Sequence, residues 1–205
     1  MIRAFIALCG ALAIAGCTQQ GGTPTRSVSL GEGQVIATSP AGYCVDDISS
    51  QPANDFAILA PCASLGAAGG IPQVVGFATV QVGPAESGSI AADEIALRDF
   101  LITDEGVSLL SQTGDGAEVN VLSTQAFNSQ VMIHFNDEGP PPLAGLQSEE
   151  WRAFTTINGR LVTIGVRGLA VAPLTDGPGA TLLKLIVAGV QAAAIPSEDN
   201  ATPDV

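Results

Sequence analysis

Four runs in the second half of the chain place apolar residues at every second position, and a period of two belongs to strands rather than helices. Val119 and Val121 point one way in the first run, and Val131, Ile133 and Phe135 do so in the second. Trp151, Ala153, Thr155 and Ile157 follow, and Val162, Ile164 and Val166 close the series. Asn158-Gly159 between the last two runs is a hairpin signal, because a type I′ turn needs positive φ at both central residues. Phe127-Asn128-Ser129 can turn the first pair, and Gly139-Pro140-Pro141-Pro142 makes a stiff open connection between the middle strands. The runs therefore specify an antiparallel four-strand meander, which the rest of the chain has to cover.

Shorter β-like runs precede it, at residues 34–38, 43–45, 56–60 and 73–82, separated by Gly/Pro punctuation such as Ser39-Pro40-Ala41-Gly42. A middle helix is expected from Ser89, with Asp93 and Glu94 near its positive end and Ile95, Ala96, Leu97, Phe100 and Leu101 at helical spacing. It is expected to stop or bend at Asp104-Glu105-Gly106, with one further turn over 107–111. A closing helix is expected over 180–194, where Leu182, Leu183, Leu185, Ile186, Val187 and Val190 cover much of the circumference. Interrupted by Lys184 and Gln191, it is too short and too polar to span a bilayer, so it should pack on the sheet. The fold class is α+β: an antiparallel sheet of N-terminal strands and the C-terminal meander, covered by a middle helix and a C-terminal helix.

Seven basic residues stand against twenty acidic ones, for a formal net charge of −13. The basic residues beyond Arg3 (Arg26, Arg98, Arg152, Arg160, Arg167 and Lys184) are thinly spread. Phosphate backbones and anionic lipid surfaces need a Lys/Arg face, so no nucleic-acid partner and no electrostatic membrane docking are expected. Hydrophobic residues make up 46% of the chain but aromatics only 4%, so the core must be built from small aliphatic side chains.

The first sixteen residues pair Arg3 with an apolar run from Ala4 to Ala15 and then Gly16. A basic start and a run of about twelve apolar residues form an export signal, being short of the roughly twenty needed for a span. Ile14-Ala15-Gly16-Cys17 resembles the lipobox of bacterial lipoproteins. That resemblance implies cleavage before Cys17 and lipidation of its thiol, against the alternatives of an ordinary secretory leader or an uncleaved anchor. Thr18 follows Cys17 where many such proteins carry a retention aspartate, which implies, for a source with two membranes, the outer membrane, facing the periplasm. The division implied is a signal peptide at 1–16, a lipidated flexible tether at 17–33, a single domain at 34–195 and a disordered acidic tail at 196–205. The tether is poor in apolar residues, and such segments bury too little surface to offset their ordering entropy.

Within the exported domain Cys44 and Cys62 are the only pair. An oxidising compartment predicts a disulfide between them. Buried free thiols or a metal pair are the alternatives, and the spacing lacks the second ligand couple that zinc requires.

Motifs for chemistry are absent. His134 is the only histidine and falls opposite Val131, Ile133 and Phe135 in its strand, toward solvent or a second layer. Ser129, His134 and Asp137 contain the residue types of a hydrolytic triad, but they lie in one strand and its exits, without a nucleophile elbow. Gly31-Glu32-Gly33 lacks the third glycine of a dinucleotide loop and no Walker-type lysine occurs, so no cofactor is implied. The pairs Asp46-Asp47, Asp104-Glu105, Asp137-Glu138 and Glu149-Glu150 read as solvated loop ends, with Ca2+ binding by two converging pairs as the minor alternative; no metal set is assigned. Trp151 and Tyr43 could anchor an interface, and core packing is the simpler use of Trp151. The three prolines at 140–142 could dock on an aromatic groove but read more simply as a stiff connection.

The order of strands, helix, meander and closing helix resembles the PsbP-like fold, whose bacterial members include small envelope lipoproteins. The resemblance rests on strand 151–157, Asn158-Gly159, strand 160–168 and the closing helix. It carries across no binding residues, and a fold does not fix a function. The expected role is that of an envelope-anchored, non-catalytic binding or assembly accessory with an envelope protein as partner. The alternative is a ligand-binding or hydrolytic periplasmic enzyme without a recognisable motif. Two carboxylates close together in a cleft, or sharing His134, would favour that alternative.

Overall fold

The computed structural model describes residues 25–88 and 93–194. The leader, Cys17, the acidic tail and Ser89, the expected start of the middle helix, lie outside them. The meander is present as β6 (Val119–Phe127), β7 (Gln130–Asp137), β8 (Glu149–Ile157) and β9 (Arg160–Arg167). Asn158 and Gly159 turn β8 into β9 with φ of 49° and 74°, and Asn128 and Ser129 turn β6 into β7 with 51° and 57°. Positive φ at all four positions gives both hairpins the twist-matched turn.

β3 (Tyr43–Val45), β4 (Phe56–Pro61) and β5 (Phe77–Val82) extend the meander into a seven-stranded sheet of order β3-β4-β5-β9-β8-β7-β6, with every neighbouring pair antiparallel. The strand expected over 73–82 begins only at Phe77. Cys44 and Cys62 are joined by a disulfide that ties β3 to the end of β4.

The meander needs cover on both faces, because its alternate residues bury in opposite directions. On one face Trp151, Ala153, Val162, Ile164 and Val166 pack with Leu182, Leu183 and Ile186 of α3 (Asp176–Gly189). On the other, Val131, Ile133 and Phe135 pack with Leu97 and Leu101 of α1 (Glu94–Leu101) and with Leu110. Asp93 caps α1 by accepting from the backbone N–H groups of Ile95 and Ala96. Thr103 caps the short α2 (Asp104–Ser108). The acidic pair at 104–105 thus opens a helix, where the dipole favours negative charge, instead of ending one.

Three expectations need correction. Residues 27–33 are not tether: β1 (Ser27–Leu30) pairs with β2 (Val35–Thr38), and Leu30 is buried against the main core. The closing helix starts four residues before Ala180 and ends at Gly189, where the chain continues as β10 (Val190–Ala192) on the free edge of β2. The acidic pairs are not all solvated, since Asp137 and Glu150 are buried. Asp137 accepts from the N–H groups of Gln112 and Gly139, pinning two loops to the end of β7.

Candidate functional site

β8 divides the chemistry of the molecule. Its alternation sends Glu150, Arg152 and Phe154 to the α1 face and Glu149, Trp151 and Ala153 to the α3 face. Helices α1 and α2 lie over the β6–β7 side of the first face. Beside them a cleft of about 510 Å3 opens over β4, β5, β9 and β8. Phe56, Ile58 and Phe77 give it an apolar floor, and Leu143 and Leu146 overhang it from the proline-rich loop.

The polar part of that floor is an ion-paired trio. Glu150 Oε1 accepts from Arg152 Nε at 2.6 Å, and Oε2 accepts from Arg152 Nη2 at 3.0 Å and Arg167 Nε at 2.9 Å. Arg167 Nη2 lies 2.5 Å from the same oxygen, and Nη1 donates to the carbonyls of Gln147 and Ser148. Arg152 also lies over the Phe135 ring, 5.0 Å from its centroid. All three side chains are nearly or fully buried, so each charge depends on the others for solvation it has lost to the protein. Gly165 makes room for this: a Cβ there would sit 2.7 Å from Glu150 Oε1. Two guanidiniums against one carboxylate leave the floor with net positive charge in an acidic chain.

The other face of β8 holds a smaller cleft, of about 280 Å3, beneath the start of α3. His134 lies opposite Trp151 in the β7–β8 register and stacks on it, with centroids 4.3 Å apart. A register shift in β6 between Val121 and Ser123 brings Ser123 opposite His134. His134 Nε2 is 3.3 Å from Glu149 Oε2, and Nδ1 is 3.9 Å from Asp176 Oδ1. The imidazole is buried, Glu149 is half-exposed and Asp176 is 90% exposed. Two carboxylates therefore share the one histidine.

The triad candidates do not meet. Asp137 is occupied by Gln112 and Gly139, and Ser129 sits in the turn five residues before His134, about 16 Å along an extended strand. Trp151 is a core residue. Tyr43 is buried as well, donating to the carbonyl of Val74 at 2.8 Å and accepting from Gly76 N–H at 3.0 Å. Burial pushes its phenol up to about 12, and the Gly76 hydrogen bond offsets part of the effect. Neither aromatic is available as an exposed anchor. The sequence reading missed the trio, because Glu150 and Arg152 share a face of β8 but Arg167 joins them only when β8 pairs with β9. The one available signal was charge at strand positions flanked by buried apolar residues.

No protein-family model matches the chain, and no curated protein matches it. Among solved structures, a point mutant of protein Mog1 is similar with a TM-score of 0.50 at 12% identity, over 82% of this chain and 95% of that one. The Ran-binding protein Mog1p of Saccharomyces cerevisiae is similar at 0.49 and 12% identity, over 84% and 97%. Cyanobacterial PsbP (CyanoP) from Synechocystis sp. PCC 6803 is similar at 0.45 and 9% identity, over 87% and 98%. The Mog1 likeness is one of fold, and the α+β architecture expected from the sequence is the one found.

Proposed function

We propose that this chain is a lipid-anchored envelope protein, acylated at Cys17 and held at the outer membrane facing the periplasm, whose domain acts as a non-catalytic binding or assembly accessory. The observation that carries the binding role is the open cleft beside α1, with its apolar floor and surplus guanidinium. Its chemistry suits an extended protein segment that offers apolar side chains and an acidic residue, the acid being drawn to Arg152. Glu150 is a poor general base there, since both its oxygens are already engaged by guanidinium N–H groups. The lipid anchor rests on the lipobox resemblance alone.

Photo-crosslinking in the native envelope tests the binding face. A photoreactive residue at Leu143, at the cleft mouth, should give a discrete adduct that Arg152→Glu abolishes, while the same probe at Leu185, on the exposed side of α3, should give none. Equal adducts from both positions, or none from Leu143, would reject the cleft. Fractionation tests the anchor separately: Cys17→Ala should move the protein out of the membrane fraction and remove fatty acid from its mass.

The enzyme alternative has one observation in its favour, the sharing of His134 by Glu149 and Asp176. A hydrolase of the serine type would also need a side-chain hydroxyl hydrogen-bonded to the ring. Among the described residues the polar partners of His134 are those two carboxylates.

A further inference from the structure

We infer that His134, Glu149 and Asp176 form a binding site for one divalent transition-metal ion of the zinc class. The three side chains come from three elements that the fold brings together: β7, the first residue of β8 and the first residue of α3. One ligand atom from each can be chosen so that all lie within 4.8 Å of one another. The 3.3 Å between His134 Nε2 and Glu149 Oε2 is close to the roughly 3.4 Å that two ligands about 2.1 Å from a tetrahedral ion would have between them. Asp176, almost fully exposed at the cleft mouth, is free to swing its carboxylate to the same edge of the ring.

A second feature points to a ligand. His134 is more than nine-tenths buried and its ring is fixed by stacking on Trp151, so Nε2 is held rigidly beside Glu149 in the wall of the cleft. Metal sites commonly combine a rigid imidazole with carboxylates that reach solvent, because the ion must shed water and enter. Ser123, Gln125 and Lys184 line the rest of the cleft. The hydroxyl and amide leave room for water on an open coordination position, and the Lys184 ammonium holds the affinity down by repulsion. One nitrogen with two oxygens suits zinc-class ions, whereas Ca2+ selects oxygen alone. The competing arrangement is a metal-free one in which His134 bridges the two acids.

Trp151 reports on the site, being the only tryptophan of the chain and in ring contact with His134. The purified full chain, stripped with a chelator, is titrated with ZnCl2 alone while Trp151 fluorescence and heat are recorded. The expected result is a saturable fluorescence change at a stoichiometry of one, with no comparable response to CaCl2. Glu149→Gln and Asp176→Asn alter a half-exposed and an exposed group and spare the fold, and each should weaken zinc binding by roughly tenfold or more. Lys184→Gln should tighten it. A wild-type chain without a saturable response, variants that bind as wild type does, or Ca2+ binding as tightly as zinc would each overturn the site.

Discussion

Replacing Glu150 with glutamine should cost about 3 to 5 kcal/mol of stability, the range for breaking a buried ion pair by removing one partner. The side chain keeps its volume, so no cavity contributes. What changes is that two guanidiniums lose their counter-charge. Arg167 is the more heavily affected: only 5% exposed, it retains just the carbonyls of Gln147 and Ser148. Arg152, 12% exposed, retains the face of Phe135 and can turn toward the cleft. Arg152→Met should therefore cost less than half as much as Glu150→Gln, because Glu150 stays paired with Arg167. Urea unfolding followed by Trp151 fluorescence measures each variant, at an unchanged m-value if the denatured state is unaltered. The double variant Glu150→Gln/Arg167→Met should be more stable than the sum of the single losses predicts, by ~1 kcal/mol or more. A loss below about 1 kcal/mol for Glu150→Gln would place the trio among solvent-screened pairs and refute the reasoning.

Three more outcomes follow from other contacts. Tyr43 is the only tyrosine, so ultraviolet absorbance titration reads it alone; it should ionise near 12 in the folded protein. Its raised value stabilises the fold fully below the unfolded pKa near 10 and loses that effect as pH rises through 12, with on the order of 1 kcal/mol lost by pH 11. Tyr43→Phe should flatten that part of the urea-midpoint profile. Replacing Cys44 and Cys62 together with alanine removes a link across 18 positions and should cost roughly 3 kcal/mol by loop-closure entropy, read as a lower urea midpoint. Gly179→Ala puts a methyl group into the Trp151 indole from within α3 and should destabilise by ~1 to 3 kcal/mol despite the better helix propensity, with a shifted Trp151 emission.

The local part of the architecture was legible because its signals are local. Asn158-Gly159 encodes a turn in two residues, and the alternation through Val131, Ile133 and Phe135 needs no partner to be recognised. β1 was hidden because Ser27–Leu30 offers little apolar surface, and among the described residues it pairs only with β2, whose other edge is taken by β10 from the far end of the chain. The end of α3 was hidden because Val190 continues the apolar pattern of the helix while its backbone already pairs with Ala37. Burial on both faces of the meander also defeats a reading that assigns charge to solvent. Glu150 and Arg167 are far apart in sequence, and only strand order makes their burial tolerable. For His134, periodicity predicted the face, but Glu149 and Asp176 reach it through a β-register and a helix start that no motif announces.

The adjacency of Glu149 and Glu150 permits a test of the whole division of labour along β8. Neighbouring strand residues face opposite ways, so two chemically identical side chains serve separate environments. Glu149→Gln alters a half-exposed acid and should move the unfolding free energy by no more than ~0.5 kcal/mol, while weakening the zinc response of Trp151. Glu150→Gln should do the reverse, lowering stability while the zinc affinity of the folded protein stays as in wild type, because the sheet itself separates the two carboxylates. Its removal also leaves the cleft more positive, so a segment bearing an acid should crosslink from Leu143 at least as strongly as before. If both substitutions changed stability and zinc affinity alike, the two clefts would be energetically one site, and β8 would couple them instead of keeping them apart.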